Sequence, residues 1–324
     1  MHRGDVDEAL DFLKGMLAVF EQLGDKRSRA GTLGDIARIY VDKGDVDEAL
    51  KLHNEALEVF EQLGDRRARA VALGDIARIY ASRGNVDEAL KIHNEELEVY
   101  EQLGDRRARA VALGDIAHIY LDKGNVDEAL KLNNEELKVY EQLGDKRLRA
   151  ITLGDIARIY ENKGDVDEAI DLHKERVKVF EQLGDKRSRA IALGDIARIY
   201  VSRGNVDEAL KLHKVSLEVF EQLGDLDGKA HTLWTIGRVY LNKRDRHIAL
   251  KHLGRAYEIL LALGSLAGIS QVGLDFGKLL CSMNECERGL EVLRRSEEGF
   301  HKLGREDLAQ HVRDIISSLP PSSQ

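Results

Sequence analysis

The chain has 324 residues, a net charge of −9, 43% hydrophobic and 33% charged residues, and 29 Gly but only 2 Pro, both near the C-terminus (Pro320 and Pro321). This composition excludes a disordered polar tail, and the acidic balance disfavours a general nucleic-acid binder. Two cysteines cannot build a disulfide framework. The charged start has no apolar core of a secretory signal, and no apolar run approaches a membrane span, so a cytoplasmic location is expected.

A long proline-free chain rich in Ala, Leu, Glu, Lys and Arg predicts helices throughout. The glycines then need special places, and they recur with a period of 40. Leu-Gly pairs end at Gly24, Gly64, Gly104, Gly144, Gly184, Gly224, Gly264 and Gly304; a second column is Gly4, Gly44, Gly84, Gly124, Gly164 and Gly204; a third is Gly34, Gly74, Gly114, Gly154 and Gly194. The 40-residue windows starting at Gly44 and Gly84 agree at 32 positions. A fixed period of this size predicts one continuous solenoid instead of separate globular domains.

In chain order, residues of about 5–23 predict a lone helix, the second of a pair, with Leu10, Leu13, Leu17 and Phe20 lacking a preceding neighbour. Seven helix pairs follow from about 25 to 304. In the second pair, Asp65 caps a helix over about 66–83 whose buried stripe is Ala70, Leu73, Ile76, Ala77 and Tyr80. The other helix type starts at Asp45-Val46-Asp47-Glu48 or Asn85 through Glu88, a capping-box-like pattern, and ends on a glycine. Arg244 and Asn284 replace the turn glycine late in the array. A helix over about 305–318 closes it, with 320–324 as a disordered tail.

Leu73, Ile76, Ala77, Tyr80, Gly84 and Ala89 resemble the tetratricopeptide (TPR) signature, as do Leu233, Ile236, Gly237, Tyr240 and Ala249. The 40-residue period resembles the longer repeats of the Partner-of-Inscuteable and kinesin-light-chain families. The resemblance covers about residues 4–318. It departs from the signature at the first large position, which is Leu where Trp is usual, and at the terminal Pro, which is absent. It implies an all-α, right-handed superhelical α-solenoid of antiparallel helix pairs, about 16 helices in all, with the first helix of each pair lining a concave groove.

On that implied groove, Asp75 and Arg78 lie three apart and share a helix face. The pair recurs as Asp35/Arg38, Asp155/Arg158 and Asp195/Arg198, with Asp115/His118, Thr235/Arg238 and Asp275/Lys278 at the equivalent places. These side chains can bond a partner's backbone or charges, or pair only with each other. Gly74, Gly114, Gly154 and Gly194, with Gly34, sit inside helices, where Gly costs about 1 kcal/mol against Ala. Something must approach the backbone there, either a ligand or a neighbouring helix. Trp234, the only Trp, takes the glycine's place in a later repeat and is a candidate anchor or a core residue. The cations of Arg66-Arg67-Ala68-Arg69 oppose the macrodipole at a helix start. Neutralisation by the adjoining Glu58 and Glu61 is the economical reading, and a basic ridge for an acidic partner or RNA the alternative.

The column His53, His93, His173 and His213, with Asn133, places one histidine per repeat. Helices pack about 8–10 Å apart, so this spacing builds no zinc site, and interior packing is expected. Cys281 and Cys286 are expected to be buried thiols. No nucleotide-binding, metalloprotease, serine-hydrolase or dinucleotide motif is present. One motif repeated five or six times suits an extended ligand better than a catalytic centre. The expected function is therefore a non-enzymatic scaffold that binds an extended or helical segment of a partner protein in its groove, without cofactor, metal, nucleic acid or membrane. The alternatives are the sensor or regulatory arm of a larger signalling protein, and an array that self-associates through its uncapped N-terminal end.

Overall fold

The computed structural model describes residues 3–319, with side chains from residue 6 onward; the expected tail at 320–324 lies outside the described residues. Sixteen helices and no strand make up the described chain, which divides into two compact units, Met1–Gly164 and Asp165–Gln324. The first unit holds α1 (Arg3–Leu23), α2 (Lys26–Lys43), α3 (Val46–Leu63), α4 (Arg66–Ser82), α5 (Val86–Leu103), α6 (Arg106–Asp122), α7 (Val126–Leu143) and α8 (Lys146–Lys163). The second holds α9 (Val166–Gln182), α10 (Lys186–Ser202), α11 (Val206–Leu223), α12 (Leu226–Asn242), α13 (Arg246–Leu263), α14 (Leu266–Ser282), α15 (Cys286–Lys302) and α16 (Glu306–Ser318). The tightest packing is within the pairs α2–α3, α4–α5, α6–α7, α10–α11, α12–α13 and α14–α15.

The turns follow from the glycine columns. The Leu-Gly glycines from Gly24 to Gly304 take φ of +66° to +69°, and Gly44, Gly84, Gly124, Gly164 and Gly204 take +76° to +87°, the left-handed region where an L side chain is strained. Arg244 (φ 60°) and Asn284 (φ 65°) keep that same backbone without glycine, so the turn has survived the substitution. Gly4 differs from its column, because α1 already begins at Arg3.

Asp65 caps α4 by accepting from the Ala68 N–H at 3.0 Å, and Asp25, Asp105, Asp145, Asp185 and Asp225 do the same for their helices. The capping-box-like starts behave differently. Asp45 and Asn85 make no side-chain capping bond, and Asn125 reaches Glu128 N–H only at 3.4 Å. There the acids Asp47/Glu48 and Asp87/Glu88 in the first turn complement the macrodipole instead.

The expected stripe of α4 is buried at Ala70, Leu73, Ile76 and Ala77, while Tyr80 is half-buried; Ala72 and Ile79 are buried as well. The first helix of a pair is thus covered over a wider front than one apolar stripe, because it is wedged between its paired helix and its neighbours. At the C-terminal end, α16 lays Ala309 and Val312 on Leu293 and Phe300 and closes that core.

Candidate partner-binding face

The sequence places the Asp and Arg columns on one face of the first helices, and the structure shows what they do there. In the first unit, Arg38 bonds Asp35 at 3.0 Å and reaches Asp75 in the next repeat at 2.9 Å; Arg78 bonds Asp75 and reaches Asp115 at 2.8 Å. Each cation therefore staples two consecutive repeats. Further on, His118 lies 3.9 Å from Asp155, which also holds Arg158. The Asp155 carboxylate raises the His118 pKa, its hydrogen bond being the largest cause. In the second unit Asp195 is held by Arg176 at 2.9 Å, a partner from the other helix type, and Arg198 is exposed at the equivalent ladder position. Arg238 lies 3.7 Å from Asp275. The ladder residues largely satisfy one another, so they stiffen the face before they can greet a ligand.

The inward glycines separate into two kinds. A Cβ on Gly74 would lie 2.5 Å from Glu96 Oε1, and one on Gly114 would lie 3.0 Å from Glu136 Oε1. The close approach is made by a buried carboxylate from the paired helix. Glu96 lies within hydrogen-bond distance of His93 Nδ1, at 2.8 Å. Burial raises the Glu96 pKa against the opposing pull of that histidine. Burial, with the charge of Asp155, pushes Glu136 up to about 7. At Gly34 and Gly194 nothing lies within 4 Å, because the facing residues are Ala56 and Ser216. Open clefts of about 320 Å³ and 300 Å³ lie there. Gly154 is buried within α8.

Trp234 is half-buried against the core of the second unit. Its indole N–H donates to Asp275 at 2.8 Å, Arg238 lies 5.3 Å from its ring centroid, and His231 meets it edge-on at 5.7 Å. It fills the glycine's place as a tether to the next repeat.

The histidine column is interior: His53, His93, His173, His213 and Asn133 are all buried. No group of three or more His, Cys, Asp or Glu side chains that could hold a metal occurs among the described residues. Cys281 and Cys286 are free and half-buried, and burial pushes the Cys281 thiol up to about 11. The basic helix starts are neutralised chiefly by the following cap. Arg27 bonds Asp65 at 2.7 Å, Arg67 bonds Asp105 at 3.1 Å and Arg187 bonds Asp225 at 2.6 Å, while Arg69 takes Glu61 at 3.0 Å.

The sequence reading put Val71 on the groove side of its helix but did not follow it as an apolar column. Val71, Val111, Ile151 and Ile191 stand one period apart on the first helices and are 40–45% exposed. Val71 and Ile191 line the two open clefts, and Val71 and Val111 line a third, of about 250 Å³, between α4 and α6. An apolar residue off the buried stripe, repeated at the period, was the available signal.

The family model for the tetratricopeptide repeat matches residues 1–62, 28–102, 108–182 and 188–262. The chain belongs to the tetratricopeptide repeat family. No curated protein matches this chain in sequence. Among solved structures, it is similar to the nearly identical TPR-like repeats described as a kinesin light chain of Podosopora anserina, with TM-score 0.52, 22% identity, and coverage of 61% of this chain and 98% of that one. It is also similar to a signal transduction ATPase with a TPR sensor from Pyrococcus horikoshii, with TM-score 0.66, 17% identity, and coverage of 88% of this chain and 44% of that one. A third is a Rap protein complexed with competence and sporulation factor, with TM-score 0.58, 16% identity, and coverage of 94% and 88%. These likenesses concern the TPR fold. No helix among the described residues is long and apolar enough to cross a membrane.

Proposed function

We propose that this chain is a non-enzymatic, cytoplasmic protein-interaction scaffold whose first-helix face receives an extended or helical segment of a partner protein. The observation that carries this reading is the exposed column Val71, Val111 and Ile151 of the first unit, with Ile191 at the equivalent place in a repeat of the second; each lies beside the self-paired Asp/Arg ladder of its own unit. Exposed apolar side chains in register offer burial area, at roughly 25 cal/mol per Å². A ladder already held in place lowers the ordering cost of binding. The residues assigned to partner contact are those of the ladder (Asp35, Arg38, Asp75, Arg78, Asp115, His118, Asp155, Arg158, Asp195, Arg198, Arg238) and the small or aromatic positions between them (Gly74, Gly114, Gly154, Gly194, Trp234). The Rap neighbour complexed with competence and sporulation factor is consistent with partner binding on this architecture. The triple variant V71K/V111K/I151K should keep its helical circular dichroism and lose partner capture from native lysate. Undiminished capture would show that another surface binds.

A second reading rests on α1, where Phe12 is 68%, Val19 51% and Leu23 72% exposed. This apolar stripe favours self-association through that helix. Mass that rises with concentration, and reverts to monomer in F12D/V19D, is the expected result; a constant monomer mass refutes it.

A further inference from the structure

The second helices carry a column one turn from the buried histidines, and its residues are Ala56, Glu96, Glu136, Arg176, Ser216, Ala256 and Ser296. Its occupant decides what lies over the inward glycine. Where it is Glu96, the carboxylate sits over Gly74 at a depth that leaves it 5% exposed, 2.8 Å from His93 Nδ1. The molecule thus shows how a carboxylate is held between two first helices, on a glycine floor beside a buried histidine.

In the repeat of α10, α11 and α12, every part of this arrangement is present except the acid. Gly194 is the floor, with nothing within 4 Å of a would-be Cβ. His213 stands where His93 stands, 4% exposed, and lines the cleft of about 300 Å³. Ser216 replaces the glutamate, and its hydroxyl is turned away to donate to the Ala190 carbonyl at 2.9 Å. The other histidines of the column face a charged side chain: His93 meets Glu96, His173 lies 2.8 Å from Arg176, and His53 lies 4.0 Å from Asp75. His213 has no hydrogen-bond partner among the described residues. Burial holds its pKa down to about 4, so near neutral pH the uncharged ring offers one N–H donor. The acid that approaches His53 is also missing, because Thr235 stands where Asp75 does and bonds the Thr232 carbonyl at 2.8 Å. Asp195, also on the cleft wall, is engaged by Arg176 at 2.9 Å. The His213 ring, 4% exposed, lines this cleft beside an open glycine floor and can offer its N–H to a guest acceptor there.

We propose that the cleft of Gly194, His213 and Ser216 is a carboxylate-binding site, in which a guest carboxylate takes the place that Glu96 occupies in its own repeat and accepts a hydrogen bond from His213. The apolar walls, Ile191 and Phe220, cover the stem that carries the acid. As a pocket for an acidic side chain of a bound segment it rests on the partner-binding reading above; as a site for a free short-chain acid it stands alone.

The test follows the His213 ring signals of the full chain by NMR during titration with sodium butyrate and with butyramide. A Gly-flanked Glu peptide and its Gln counterpart are titrated in parallel. Both acids should move the His213 signals, with apparent affinities about tenfold or more above those of the amides, the worth of one charge-assisted hydrogen bond. Tighter binding of the peptide than of butyrate assigns the site to a partner's side chain, and the reverse assigns it to a free acid. Ser216→Glu should fill the site from within, raise the His213 pKa and abolish both responses. Gly194→Leu, which occupies the same space, serves if Ser216→Glu does not fold. Silent His213 signals, equal response to acids and amides, or a response that survives either substitution overturns the assignment. Silent signals with intact partner capture would remove this inference alone. A responding His213 in an array that captures nothing through its apolar column would remove the scaffold reading alone.

Discussion

Replacing Gly74 and Gly194 by alanine, separately, should change stability with opposite signs, although the two glycines hold the same place in their repeats. Both lie inside a helix, so alanine gains about 1 kcal/mol of helix propensity at either. At Gly194 the new methyl has open space, with nothing within 4 Å, and the gain should appear nearly whole. At Gly74 the methyl would meet Glu96 Oε1 at 2.5 Å and Cδ at 2.9 Å. The carboxylate then has to shift, and the 2.8 Å contact of its Oε2 with His93 is expected to be lost. Losing a hydrogen bond to a charged group costs about 1.5–3 kcal/mol, which outweighs the propensity gain of about 1 kcal/mol and leaves a net loss of about 0.5–2 kcal/mol. Native-state hydrogen exchange is the suitable assay, since repeat arrays open locally. Amides of α10 and α11 should exchange more slowly in G194A, and those of α4 and α5 faster in G74A. Equal stabilisation by both substitutions would refute the claim that Gly74 makes room for a fixed carboxylate.

Two further perturbations probe the buried charges. Glu136 has its pKa lifted from 4.5 to about 7 by burial, so the protonated form is favoured in the folded state. Its stabilising contribution is complete below about 4.5 and is lost as pH rises through about 7. Glu136→Gln should therefore match the parent near pH 4.5 and exceed it increasingly above, by at most about 3 kcal/mol at alkaline pH. Denaturant midpoints that differ by a pH-independent amount would contradict this. Asp75, 8% exposed, is held by Arg38 and Arg78. Removing either cation should cost little, about 0.5–1 kcal/mol, whereas R38A/R78A strands a buried carboxylate and should cost about 3 kcal/mol. A double-mutant cycle with additive losses would contradict the shared role.

Much of the fold was legible because the period repeats every decisive signal. Glycines at fixed offsets mark the turns, Asp65 and its equivalents mark caps, and the apolar stripe marks the core. What was not legible depends on which side chain of one helix meets which of another. Glu96 reads as an ordinary solvated glutamate on a helix, and only its position over Gly74 reveals it as buried. The Asp/Arg ladder was visible as a column. That Arg38 and Arg78 reach the Asp of the next repeat follows from the stacking of first helices, which spacing within one helix does not encode. Trp234 was legible as an anchor candidate or a core residue from its place in the glycine column, but not its bond to Asp275 or the stacking of Arg238 on its ring. Asp45 matched the cap pattern of Asp65 and makes no capping bond, since the two helix types begin in different surroundings.

The central claim is that a partner segment lies on the first-helix face. It is tested most directly by placing a photo-crosslinking amino acid at Val111, on that face, or at Lys131, an exposed residue of α7 (69% side-chain exposure) on a second helix, and irradiating the protein in native lysate. Discrete crosslinked partners from position 111, and none in common from position 131, are predicted. Crosslinks that form at 131 and fail at 111 would contradict the account.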